Sequence, residues 1–125
     1  MLDITAGKEA SLQTLLNSSK GLPQYIQFKF PQPVIPKRIS ITFQGGFVGT
    51  RCSVTTKVSD EADWTSWLYI YPEDVNGRQD FDLDGGTVNE SGVTSIKVVF
   101  EQSSDFFGRV TVYDIRLLGT NCSKF

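Results

Sequence analysis

The sequence predicts an all-β fold, an antiparallel sandwich or barrel. Three observations predict it. Apolar and polar residues alternate with a period of two in short runs along most of the chain. Clusters of Gly, Pro, Asn and Asp separate those runs at short spacing. No long stretch has helical periodicity. A chain of 125 residues is long enough for one core without staples, so residues 1–125 read as a single domain.

Residues 1–22 are the least sheet-like. Leu12, Leu15 and Leu16 stand at helical spacing among good helix formers, which predicts a short helix or an irregular turn over 8–17. A polar loop follows. Ile26, Phe28 and Phe30 then alternate with Tyr25, Gln27 and Lys29 as a half-buried strand. Pro31, Pro33 and Pro36 are expected to end it and force an extended connection. Ile39, Ile41 and Phe43 give the next strand, which runs into a glycine-punctuated excursion over 45–51. Residues 52–58 are β-branched and strand-like. Asp60, Glu61 and Asp63 form an acidic turn. Residues 64–71 carry a dense aromatic strand, with Leu68 and Ile70 opposing Trp67, Tyr69 and Tyr71. After the turn at 72–77, Phe81 and Leu83 mark a short strand, and 84–92 is a Gly/Asn/Ser connection.

Residues 94–119 organise the whole. Ile96, Val98 and Phe100 share one face of a strand. Val110 and Val112 continue the alternation beyond a loop, but Ile115 and Leu117 have the opposite parity. A bulge near Tyr113 and Asp114 explains the slip. Phe106 and Phe107 are adjacent in the loop, so both cannot point inward with strand periodicity. One is expected to plug the core and the other to face solvent.

Composition narrows the function. The formal net charge is −2, which argues against direct nucleic-acid binding, since a phosphate binder needs a basic surface. No run approaches the roughly 18 apolar residues of a membrane span, and no signal-type segment opens the chain. The expectation is a soluble intracellular protein with Cys52 and Cys122 as free thiols. The chain has 0 histidines. That removes Ser-His-Asp and Cys-His catalysis and imidazole-bound zinc, and leaves only hard cations held by oxygen.

Four constellations remain. The acidic turn at Asp60, Glu61 and Asp63 lacks the ligand spacing of a calcium loop and reads as a solvated hairpin tip. Glu73 and Asp74 are adjacent carboxylates, but no partner motif supports acid–base work, so a turn with local hydrogen bonding is the simpler account. Trp64 and Trp67 read as core or rim packing. The two loops at 45–51 and 103–109 each set phenylalanine beside arginine and glycine, the ingredients of a binding hot spot.

Three segments carry a resemblance to a known family. Phe43-Gln44-Gly45-Gly46-Phe47, Tyr71-Pro72-Glu73-Asp74 and Asp105-Phe106-Phe107-Gly108-Arg109-Val110, in that order, closely resemble the small orphan nuclear receptor-associated proteins, partners of the testicular orphan receptor four. The match spans roughly residues 14–119. Ile115-Arg116-Leu117-Leu118-Gly119 fits it and looks, more distantly, like the closing strand of discoidin and coagulation-factor C domains. The resemblance implies a galactose-binding-like jelly-roll β-sandwich with ligand loops at one end. It implies a non-enzymatic protein, cytoplasmic and nuclear, that binds a nuclear receptor or another protein and represses receptor-driven transcription. Gln44, Phe47, Arg51, Glu73, Asp105, Phe106, Phe107 and Arg109 are the residues expected to meet the partner.

Related domains often carry an acidic loop ending Thr-x-Trp, whose Asp and backbone carbonyls can hold calcium. Here Thr14 is kept, Leu16 replaces the tryptophan, and Glu9 and Thr14 are the weak calcium candidates left. The resemblance also implies a leading strand. Either residues 1–7 supply a shortened one, or the sandwich is open at an edge where a second chain could pair as a dimer. Two alternatives stand beside the adaptor reading: a lectin-like glycan binder, and a subunit of a larger assembly. A carboxylate hydrolase using Glu73 or Asp74 is set aside.

Overall fold

The computed structural model describes residues 2–4, 11–14, 23–83 and 92–121. Among the described residues eight strands follow one another: β1 (Leu2–Asp3), β2 (Ser11–Thr14), β3 (Gln24–Phe43), β4 (Gly49–Lys57), β5 (Thr65–Ile70), β6 (Arg78–Asp82), β7 (Val93–Ser103) and β8 (Val112–Asn121). Every pairing among them is antiparallel.

The sandwich is organised by β3 and not by residues 94–119 as the sequence reading expected, because β3 alone among the described strands belongs to both layers. Its first part, from Gln24 to Lys29, lies between β2 and β7. Its last part, from Arg38 to Thr42, lies between β6 and β8. One layer therefore runs β2–β3–β7–β4–β5 and the other β1–β8–β3–β6. The prolines do not end the strand as expected. Pro31, Pro33 and Pro36 lie inside the 20-residue β3, where the chain leaves one layer for the other. The register with β7 shifts between Lys29 and Val34, and that with β8 shifts between Pro36 and Arg38. A proline removes a ladder donor, which matters least where the strand is changing partners.

The helix expected over 8–17 is also corrected within its described part. Ser11–Thr14 pair as strand β2 with Gln24–Gln27. Pairing with an available sheet edge outweighs the modest helical propensity of this segment. A shortened leading strand is present, since Leu2 and Asp3 pair with Gly119 and Leu118. The connection at 84–91, the candidate Glu9 and Cys122 lie outside the described residues.

The alternation read for the other strands holds except in β5, where Trp67 does not oppose Leu68 as expected but joins it against the core. Ile26, Phe28, Ile96, Val98 and Phe100 from the first layer face Ile39, Ile41, Phe43 and Leu117 from the second, all buried. Phe43 meets Phe100 across the core edge to face, with ring centroids 5.9 Å apart. The slip near Tyr113 is a bulge: Thr42 pairs with Asp114 and Phe43 with Val112, so Tyr113 is the extra residue and stands exposed. A second bulge falls on Trp67, which is skipped between the Val54–Leu68 and Thr55–Ser66 pairs. It turns Trp67 toward the core, against which the side chain packs half-buried. Cys52 is free and buried. Burial above all, and the Glu101 charge besides, push its thiol pKa up, so it stays protonated and serves as packing.

Candidate functional site

Three loops meet at one end of the sandwich, at 44–48, 71–77 and 104–111. Strand order brings them together, since β4 pairs with β7 while β3 pairs with β8. The loop at 44–48 opens with a tight turn closed by Phe47 N–H donating to the Gln44 carbonyl at 3.0 Å. Gly46 has φ +90°, the left-handed value required at the third position of a type II turn. The two glycine N–H groups, left without backbone partners, are taken up by the neighbouring loop. Gly46 N–H donates to Asp74 Oδ1 at 2.8 Å and Gly45 N–H to Asn76 Oδ1 at 3.0 Å. Gln79 braces that loop in turn, accepting from Glu73 N–H and donating to its carbonyl.

The loop at 104–111 is stitched to the same turn. Gln44 N–H donates to the Thr111 carbonyl at 3.0 Å, Thr111 N–H to the Phe47 carbonyl at 2.9 Å, and Ser104 N–H to the Val48 carbonyl at 2.9 Å. Val48 N–H completes the set on Ser104 Oγ.

Asp105 is the internal anchor of this loop. Its Oδ2 accepts from Phe107 N–H at 3.1 Å, Arg109 N–H at 3.0 Å and Arg109 Nε at 2.9 Å, and its Oδ1 accepts from Arg109 Nη2 at 3.0 Å. The forked pairing suits a planar guanidinium on a carboxylate. The Asp105 side chain is only 10% exposed and that of Arg109 58%. The Arg109 side-chain hydrogen bonds, and then its backbone N–H, hold the Asp105 carboxyl at about 2, below its ordinary 3.8. The same partnership pushes the Arg109 guanidinium up.

A pH prediction follows from the depressed value. A carboxyl whose pKa is lower in the folded chain contributes its full stabilisation above the ordinary value and loses it as pH falls through the folded value. The Phe107 and Arg109 amide resonances should hold position from neutral pH down to 3.8 and move only as pH falls toward about 2. Asp105→Asn should abolish that transition. A midpoint near 3.8 in the unaltered protein would refute the clamp.

With Asp105 holding it, the Arg109 guanidinium lies 5.1 Å from the Phe47 ring centroid and 5.5 Å from that of Phe107. Phe107 meets Phe106 edge to face at 5.0 Å. The result is one continuous rim, Phe47–Arg109–Phe107–Phe106. Both of its loop phenylalanines, Phe106 and Phe107, face solvent, 92% and 64% exposed. Neither is the core plug that the sequence reading expected of one of them. The core end beneath is already filled by Phe43, Val48 and Phe100.

The remaining candidates fall elsewhere. Gln44 is half-buried and serves the turn through its backbone. The Glu73 side chain is exposed on the bracing loop. Arg51 is not in the rim; it projects from β4 onto the outer face of the first layer, 3.3 Å from Glu101 and 5.0 Å from the Tyr69 ring. Thr14 pairs with Gln24 at the end of β2, and no group of three potential metal-ligating side chains occurs among the described residues. Sequence reasoning passed over Asn76 and Ser104, which position the rim without forming it. Their only signal was the turn chemistry of Asn-Gly and Ser-Asp.

No family model matches the chain. Among solved structures, chitosan-binding module 1 from the chitosanase/glucanase of Paenibacillus sp. IK-5 aligns with TM-score 0.69 at 14% identity, covering 95% of this chain and 100% of that one. The family 32 CBM of C. perfringens NanJ, solved in complex with galactose, aligns with TM-score 0.61 at 17% identity, over 86% of this chain and 74% of that one. The fold is therefore the galactose-binding-like jelly-roll β-sandwich, with discoidin-type domains among its kind. Sequence relatives are nearer. The nuclear receptor 2C2-associated protein of Danio rerio is 37% identical over 111 residues, 89% of this chain and 75% of that protein. Its namesake in Homo sapiens is 36% identical over 107 residues, 86% and 73% of the two chains. Identity of that order over most of both chains makes this protein a member of the nuclear receptor 2C2-associated protein family.

Proposed function

We propose that this chain is a non-enzymatic protein-interaction module of the cytoplasm and nucleus, and that it grips a nuclear receptor through the phenylalanine rim. As an adaptor or repressor it would lower receptor-driven transcription by occupying the receptor. The observation that carries this reading is a pair of exposed aromatic rings on a loop made rigid by the Asp105–Arg109 clamp. Rigid aromatic anchors beside an arginine are the usual energetic centre of a protein interface.

A glycan reading has support in the fold, since the solved neighbours include a chitosan-binding module and a CBM holding galactose. The polar groups of the rim favour a protein. A sugar site needs convergent hydrogen-bonding groups left open to the ligand. Here the Asp105 carboxylate is engaged with Arg109 and the loop backbone, and the Phe47 ring lies against the same guanidinium.

Calorimetric titration with purified nuclear receptor 2C2, with galactose and with chitosan oligosaccharide tests the choice. Saturable heat from the receptor and none from the sugars is the expected result. Sugar binding that shifts the Phe106–Arg109 resonances, with no receptor binding, would overturn it. Lower reporter transcription on co-expression is the expected sign of the repressor role.

A further inference from the structure

The outer face of the first layer carries a second constellation, away from the rim. Lys97 lies with its Nζ 4.3 Å from the Trp64 ring centroid and 5.0 Å from that of Tyr25. Lys57 places its Nζ 5.0 Å from the same Trp64 ring. Two ammonium groups thus share one indole. Among the described residues no carboxylate pairs with either. Asp60 is engaged by Lys29 and Glu101 by Arg51, each at 3.3 Å. Burial, and then repulsion from Lys57, lower the Lys97 pKa, as expected where two cations stand together unneutralised. Lys57 closes β4, whose first residue adjoins the rim. At about 3.3 Å per residue, the 9 residues of β4 set its ends roughly 26 Å apart.

The geometry points to a second docking surface, at which Lys57 and Lys97, on the Trp64 and Tyr25 rings, receive an aspartate- or glutamate-bearing segment of a protein partner. Charge complementarity selects that occupant. A carboxylate seated on the lysines relieves their mutual repulsion, and the flanking residues of an extended segment gain contact with the two rings. A nucleic acid is disfavoured, because its continuous negative charge would meet Asp60, Glu61 and Asp63 on the hairpin that leads into Trp64.

Fluorescence anisotropy on the full chain tests this. The probes are a fluorescein-labelled peptide of alternating Glu and Thr, its Gln-for-Glu counterpart, and a labelled oligothymidylate. The Glu peptide should bind, more weakly as salt rises. The double variant Lys57→Gln/Lys97→Gln should weaken it by about tenfold or more. Lys97→Arg should retain binding, and Phe106→Ser/Phe107→Ser should leave it unchanged, which separates this surface from the rim. Unaltered melting of the double variant shows that its fold is kept. No binding of the Glu peptide, equal binding of the Gln peptide, tighter binding of the oligothymidylate, or an unaffected double variant would each overturn the assignment. A concentration-dependent dimer that the double variant abolishes would also overturn it, by giving the face to a second copy.

Discussion

Phe100→Ala should destabilise the fold by about 3–5 kcal/mol, as for other large aromatic deletions from packed cores. Phe100 is fully buried in β7, the strand that joins β3 to β4. Its ring meets Phe43 of the opposite layer edge to face, so truncation opens a void at the contact between layers. The surroundings have little room to relax. A Cβ on Gly49 would stand 2.6 Å from the Phe100 ring, so the backbone of β4 already lies against it. Domains of this size have about 5–15 kcal/mol in total, and the melting temperature should fall by roughly 10–20 °C. Denaturant unfolding with an unchanged m-value is the measurement that checks it. A loss below about 1 kcal/mol would mean that this end of the core is not close-packed.

Phe106→Ser with Phe107→Ser should act in the opposite way, sparing the fold and removing the grip. Both rings are exposed and contact chiefly each other and the Arg109 guanidinium. Surface changes of this kind usually move stability by no more than about 0.5 kcal/mol. Truncating interface anchors typically costs about 2 kcal/mol or more. Receptor affinity should therefore fall by roughly 30-fold or more, read by the same calorimetric titration. Asp105→Asn is the companion variant. It leaves the rings in place but breaks the forked contact with Arg109, so binding should weaken through lost pre-organisation. Full affinity in the double serine variant would remove the rim from the interface.

Much of this architecture is local in origin and could be read residue by residue. The burial of Ile96, Val98 and Phe100, or of Ile39, Ile41 and Phe43, follows from side chains two apart sharing a strand face. The bulge at Tyr113 showed as a change of parity between Val112 and Ile115, because an extra residue must reverse the faces. The readings that failed were those in which a distant partner overrode a local rule. Leu12 lies in a strand because β3 offers an edge there. The prolines lie inside β3 because that strand changes layers where they occur. Phe106 and Phe107 both face water because other residues had already filled the core beneath them.

The candidate site divides along the same line. Phenylalanine, arginine and glycine in two separate loops, and the aspartate four residues before Arg109, are visible in the order of the residues. That the loops at 44–48 and 104–111 share hydrogen bonds, and that Arg51 leaves the rim while Arg109 joins it, are not. Alternation and turn chemistry act over a few residues, so they are written in any short stretch of chain. Which strands become neighbours depends on how two layers bury a common core, and contacts between residues some 60 positions apart exist only once that core has formed.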